Sequence, residues 1–231
     1  LRGHGESDWA ADGDYSLEAI ARDLIEVGER VAGGGTRPHV VGASLGGLAA
    51  IVAAGMLARD AFESVTLVDI APNMDAAGVT KVVGFMGAHI QEGFGSLEQA
   101  ADVIATYLPH RPRPKDLEGL RKNLRQGEDG RWRWHWDPAF ITGVMRRRSG
   151  VAHTGDLEQA VRDIRVPLHL IRGRMSELVS EDSVAAFRSL APQAHYTDVA
   201  GARHMVAGDR NDVFIEAVVS FLRTIREQTP V

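Results

Sequence analysis

The chain has 231 residues, 44% of them hydrophobic and 25% charged, and it contains no cysteine. That length and balance support one sizeable core and exclude a disordered chain, a disulfide scaffold, a thiolate metal site and a cysteine nucleophile. A net charge of −5 offers no electrostatic footprint for nucleic acid or an anionic membrane.

The opening residues, Leu1-Arg2-Gly3-His4-Gly5, read as a loop. Because the chain starts inside a loop and without methionine, a preceding segment is expected. Ser16 then caps a helix whose apolar positions, Leu17, Ile20, Leu24, Val27 and Val31, recur at intervals of three and four until Gly33-Gly34-Gly35 stops it. "PHVVGAS" reads as a buried strand, Leu45 to Arg59 as a helix of small residues, and "SVTLVDIAP" as a second strand ended by Pro72. The apolar run from Leu48 to Ala58 is too short and too rich in alanine to span a bilayer.

From residue 73 to 155 the pattern turns helical and loop-like. Ser96 and Gln99 form a capping box before Leu97, Ala101, Ile104 and Leu108, and a further helix is expected over Asp116–Gln126. "GRWRWHWDPAF" follows, with Trp132, Trp134 and Trp136 on one face of an extended segment. Those indoles are candidates for a hydrophobic substrate wall, against the simpler reading that they pack the lid onto the sheet. Phe85, Met86, Phe94 and Met145 are read as core by default, and Arg146-Arg147-Arg148 as a solvated turn. The alternation resumes with a helix over Asp156–Ile164, the strand "VPLHLIRG", a helix from Ser180 carrying Val184, Phe187 and Leu190, the strand "AHYTDVAG", and a last helix over Asn211–Gln228.

Strands alternating with helices predict an α/β fold, a mostly parallel sheet flanked by helices. The expected organisation is a core part over 1–72 with the serine, an inserted helical lid over 73–155, and a core part over 156–231.

The chemistry starts from "VVGASLGG", a Gly-x-Ser-x-Gly between a strand and a helix. Such a bend is so tight that its flanking positions must be glycine or nearly so, and it thrusts the serine hydroxyl outward. Ser44 is the candidate nucleophile, and the N–H of Leu45, opening the next helix, is the candidate oxyanion donor. A hydroxyl needs a base, and the base needs an orienting acid. His204, after the last strand, is the candidate base. Glu177 in "LIRGRMSELVSED" is the favoured acid, with Asp69 at the end of "VTLVD" as an alternative and Glu181 and Asp182 as close rivals. His4 is a candidate polar contact at the site entrance. His135 and His153 lack ligand spacing, so no metal is expected.

The same segments resemble the α/β-hydrolase superfamily, in the lidded branch that holds esterases, epoxide-hydrolase-like proteins and C–C bond hydrolases. "LRGHGESD" resembles the loop after the family's fourth strand, "VGASLGG" its nucleophile elbow, "LIRGRMSELVS" its acid segment and "AGARHMVAGDRND" its histidine loop. Two departures stand out: the acid is Glu177 where the family more often has Asp, and Arg203 precedes the histidine where Gly is frequent. The resemblance implies that the family's first strands, and the loop giving a second oxyanion N–H, would precede residue 1. Serine at the elbow argues against epoxide hydrolysis and dehalogenation. It favours cleavage of an ester or related acyl bond of a small hydrophobic substrate, with C–C bond hydrolysis, a perhydrolase activity or non-catalytic ligand binding as alternatives. No cofactor, nucleic-acid partner or membrane span is expected. The absence of cysteine favours a cytoplasmic location, and the oligomeric state is not legible.

Overall fold

The computed structural model of the chain describes residues 1–33, 35–146 and 154–228, and the side chains of these apart from 144–146. The expectations for Met145, for Arg146-Arg147-Arg148 and for His153 concern side chains outside that set. In chain order the elements are α1 (Leu17–Ala32), β1 (His39–Ala43), α2 (Leu45–Val52), β2 (Ser64–Val68), α3 (Ala76–Gly87), α4 (Leu97–Tyr107), β3 (Leu124–Gln126), β4 (Trp132–Trp134), α5 (Pro138–Arg146), α6 (Thr154–Asp163), β5 (Leu168–Gly173), α7 (Glu181–Leu190), β6 (His195–Val199), α8 (Val206–Asp209) and α9 (Asn211–Gln228). Serines set three of the helix starts. The Oγ atoms of Ser16, Ser96 and Ser180 accept N–H bonds from Ala19, Gln99 and Ser183, which satisfies donors the helices leave open.

The chain divides into two compact units, Ser16–Val79 with Gly150–Val231, and Leu1–Tyr15 with Thr80–Ser149. In the first, four parallel strands lie in the order β1-β2-β5-β6. The two inner strands, β2 and β5, are buried along their whole length, as both faces of a helix-covered parallel sheet require. The register pairs Ala43 with Val68, Val68 with Ile171, and Gly173 with Val199, so all four strands end at one edge of the sheet. The helix expected over Leu45–Arg59 is regular only to Val52 and continues as a wide π turn, Ala53–Leu57. Gly55 in that turn meets α6 so closely that a Cβ there would lie 2.2 Å from the Ala160 carbonyl oxygen.

The second unit joins residues Leu1–Tyr15 to Thr80–Ser149. The helix expected over Asp116–Gln126 is not formed. A single 3₁₀ turn, Glu118–Lys122, leads into β3, which pairs antiparallel with β4 through Leu124–Trp134 and Gln126–Trp132. The pairing wins because it buries Leu124 in a cluster with Phe94, Ala100, Trp132 and Trp134, where a solvated helix would leave it outside. The opening loop is fastened to the segment after β4. Gly5 N–H donates to the His135 carbonyl (2.8 Å), Asp137 N–H to the Gly3 carbonyl (2.7 Å), and the Tyr15 hydroxyl to the Asp137 carboxylate. Gly3, at φ 67°, lies against the Tyr15 ring, where a Cβ would come within 2.5 Å. Among the described residues, no helix is long and apolar enough to cross a membrane.

One buried titratable group in the sheet makes stability depend on pH. His169 in β5 is 1% exposed, its Nε2 lies 2.9 Å from Thr197 Oγ1, and its ring packs 4.7 Å from that of Phe221. Burial, aided by the nearby His195, pushes the imidazole down to about 4, so it is neutral in the fold. An unfolded histidine titrates near 6.5. Below that pH the unfolded chain takes up a proton the folded chain refuses, and stability falls as the pH drops from about 6.5 towards 4. Denaturant unfolding at pH 7 and pH 4.5 is expected to show a loss from this group of about 2 kcal/mol, which His169→Gln should largely remove. Equal losses in both proteins would contradict it.

Candidate active site

Ser44 sits between β1 and α2 at φ 49°, ψ −119°, a conformation that a residue with a side chain seldom adopts. The bend is held by its neighbours. Ser44 N–H donates to the Val68 carbonyl, and the Ser44 carbonyl accepts the N–H groups of Gly47 and Leu48. A Cβ at Gly42 would lie 2.5 Å from the Gly46 carbonyl oxygen, and one at Gly47 would lie 2.3 Å from Ile70 Cγ2. Both glycines are therefore demanded by packing as well as by the turn. Leu45 opens α2, where the first N–H groups of a helix have no partner within it.

Asp69 follows the last residue of β2 and is also strained, at φ 50°. Three described residues other than glycine have positive φ, and two of them, Ser44 and Asp69, stand at neighbouring strand ends. Strain of that kind persists where the surrounding structure enforces it, and it concentrates at functional sites. The Asp69 side chain is fully buried and well supplied with donors. Its Oδ1 accepts the Gly173 N–H (2.9 Å), and its Oδ2 accepts the Ser176 hydroxyl (2.5 Å) and lies 2.8 Å from His204 Nδ1.

The histidine loop is built to reach that carboxylate. Met175 N–H donates to the Ala202 carbonyl (2.9 Å), Arg203 N–H to Asp209 Oδ2 (2.8 Å), and Gly201 turns the chain at φ 75°. Gly173 lets the loop lie on the end of β5, for a Cβ there would come within 2.2 Å of the Arg203 carbonyl oxygen. The His204 side chain keeps 13% of its surface exposed, and its Nδ1 end is held against Asp69. Ser44, Asp69, Ser176 and His204 thus follow β1, β2, β5 and β6 at the same C-terminal edge, where open parallel sheets gather their chemistry.

The carboxylate beside His204 is Asp69 and not Glu177, the residue favoured from the sequence. The reason lies in the turn after β5. Ser176 points its side chain at Asp69, and the next residue's backbone packs against α3, where a Cβ on Gly78 would lie 2.1 Å from the Glu177 carbonyl oxygen. Sequence reasoning missed Gly173 and Ser176 altogether. The available signal was the small residues of "RGRMS" directly after an apolar strand.

The other candidates belong to the second unit. Trp132 and Trp134 are each 8% exposed and form its core with Phe94 and Leu124, and Trp136 stacks on Trp134 at 4.8 Å. His4 and Phe140 pack edge to face with ring centres 4.9 Å apart, and His4 Nδ1 lies 3.0 Å from the Arg2 carbonyl. Burial holds its imidazole below the usual histidine range. Among the described residues no three His, Asp or Glu side chains are grouped to hold a metal ion.

With this arrangement in view, the chain belongs to the alpha/beta hydrolase family, whose model matches residues 1–217, and it is a hydrolase. It is 29% identical over 231 residues to the esterase Rv0045c of Mycobacterium tuberculosis, a match covering 97% of this chain and 73% of that protein. It is 27% identical over 224 residues to the 2-(acetamidomethylene)succinate hydrolase of Mesorhizobium japonicum, covering 96% of this chain and 76% of that protein. Among solved structures, the crystal structure of E-2-(acetamidomethylene)succinate hydrolase superposes with a TM-score of 0.77 at 24% identity, covering 96% of this chain and 79% of that one. A crystal structure of Rv0045c superposes with a TM-score of 0.72 at 28% identity, covering 96% and 73%.

The crowding at the elbow is directly testable. Gly42→Ala and Gly47→Ala are each expected to lower stability by about 2–4 kcal/mol, since the space the new methyl needs is already filled. Gly46→Ala, where a Cβ meets nothing within 4 Å, should cost under about 1 kcal/mol. Thermal melts of the three variants check the ranking, and equal losses would contradict it.

Proposed function

We propose that the protein is a serine hydrolase that cleaves an ester or related acyl bond of a small molecule through Ser44, His204 and Asp69. The observation that carries this reading is the backbone of Ser44, forced to φ 49° between two glycines that tolerate no Cβ. Strain held that firmly serves to present a side chain, and the one presented is a hydroxyl. Ser44 Oγ attacks the acyl carbon while His204 Nε2 accepts its proton. An ionised carboxylate only accepts hydrogen bonds, so Asp69 receives Nδ1–H, leaves Nε2 bare as the base, and stabilises the imidazolium that forms. The Leu45 N–H, at the positive end of α2, faces the developing oxyanion. His204 then returns the proton to the leaving group, and water repeats the sequence on the acyl-enzyme.

The hydrolases similar to this chain act, by their names, on an ester and on 2-(acetamidomethylene)succinate. An acyl bond to oxygen or nitrogen in a small molecule fits both. Ester and amide cleavage share a tetrahedral oxyanion, the species an oxyanion donor stabilises. The composition and charge give nucleic acid no purchase.

Labelling with a fluorophosphonate, followed by peptide mapping, is expected to modify Ser44, and Ser44→Ala should abolish both labelling and hydrolysis of p-nitrophenyl acetate. Asp69→Asn should lower kcat by about 10³–10⁴-fold, because an amide in its place presents N–H to groups that themselves donate. Glu177→Gln should stay within about tenfold of the parent protein. Labelling of another residue sinks the nucleophile assignment, and a larger loss at Glu177 than at Asp69 sinks the acid assignment.

A further inference from the structure

We propose that Ser176 is a positioning residue for His204, sharing Asp69 Oδ2 with the imidazole so that the carboxylate is locked in place and the charge felt by His204 is tempered. The inference rests on the reading of Ser44, His204 and Asp69 given above and adds a member outside that set.

The direction of the Ser176 hydroxyl follows from its neighbours. A serine oxygen has one proton and two lone pairs. Leu178 N–H (3.0 Å) and Val179 N–H (3.2 Å) both donate to Ser176 Oγ, which occupies the lone pairs. The one proton left is directed at Asp69 Oδ2, 2.5 Å away, within the short range of hydroxyl–carboxylate bonds. The Ser176 backbone is fixed as well, since its N–H donates to the Gly173 carbonyl (2.8 Å). The hydroxyl is therefore a preset donor, held by the turn that leads into α7.

Two consequences follow for the imidazole. Gly173 N–H on Oδ1 and the Ser176 hydroxyl on Oδ2 together fix the rotation of the carboxylate about its own axis. Oδ2 is thus aimed at His204 Nδ1 before any substrate arrives. The two donors on Oδ2 also divide its negative charge. Without the hydroxyl, more of that charge falls on the imidazole, and the imidazolium becomes easier to form. The base would then carry its proton at a higher pH and lose activity there, and it would also be less well oriented. Position 176 sets the operating range of the site without touching the reacting atoms.

The test is the pH profile of kcat/KM for p-nitrophenyl acetate, with fluorophosphonate labelling of Ser44 run beside it. Ser176→Ala is expected to move the acidic limb up by about 0.5–1 pH unit and to lower the plateau about tenfold, while Ser44 still labels. Ser176→Thr keeps the hydroxyl and should lie within about twofold of the parent with its limb unmoved. If Ser176→Ala does not fold, Ser176→Cys, with a weaker donor, is read in its place and should shift the limb the same way by less. An unmoved limb in the folded alanine or cysteine variant overturns the role of Ser176 and leaves the Ser44 reading standing. A parent protein that neither cleaves the ester nor labels at Ser44 overturns the underlying reading, and this inference with it.

Discussion

The site depends on one buried carboxylate collecting its donors. Asp69 brings a negative charge to the end of an inner strand, where an ion without partners would be prohibitively costly. The charge is held by a backbone N–H from Gly173, a hydroxyl from Ser176 and the imidazole of His204. These come from the end of β5, the turn after it and the loop after β6, so the acid also ties neighbouring strand ends together. Both strained non-glycine residues at this edge, Ser44 and Asp69, lie on adjacent strands, and the Ser44 N–H bonds the carbonyl just before Asp69. Ser44 and Asp69 are thus set by one piece of local backbone geometry.

Much of this was legible because it is local. The helix starts at Ser16, Ser96 and Ser180 were readable from a hydroxyl three residues ahead of the N–H it accepts. The four parallel strands were readable as short β-branched runs separated by amphipathic stretches. The glycines around Ser44 announced a bend before any coordinate showed what a Cβ would strike.

What the sequence concealed depends on pairing across long separations. Asp69 and His204 are 135 positions apart, and Asp69 and Gly173 are 104 apart. Spacing along the chain says only that Asp69 and Glu177 both follow strands. Which carboxylate reaches the imidazole is decided by which side chain the turn after β5 projects, and that turn projects Ser176. The same limit explains the lost helix near residue 120, where Leu124 gains its burial from Trp134 across a hairpin. The tryptophans alternate on one face, as read from the sequence, yet Trp132 and Trp134 are spent on the core of their own unit.

The pairing of His204 with Asp69 is tested most directly by nitrogen-15 NMR of the imidazole in the resting protein. The expected spectrum shows a proton on Nδ1, strongly downfield, and a bare Nε2, with the downfield signal lost in Asp69→Asn and kept in Glu177→Gln. A signal that survives in Asp69→Asn and disappears in Glu177→Gln would contradict the account.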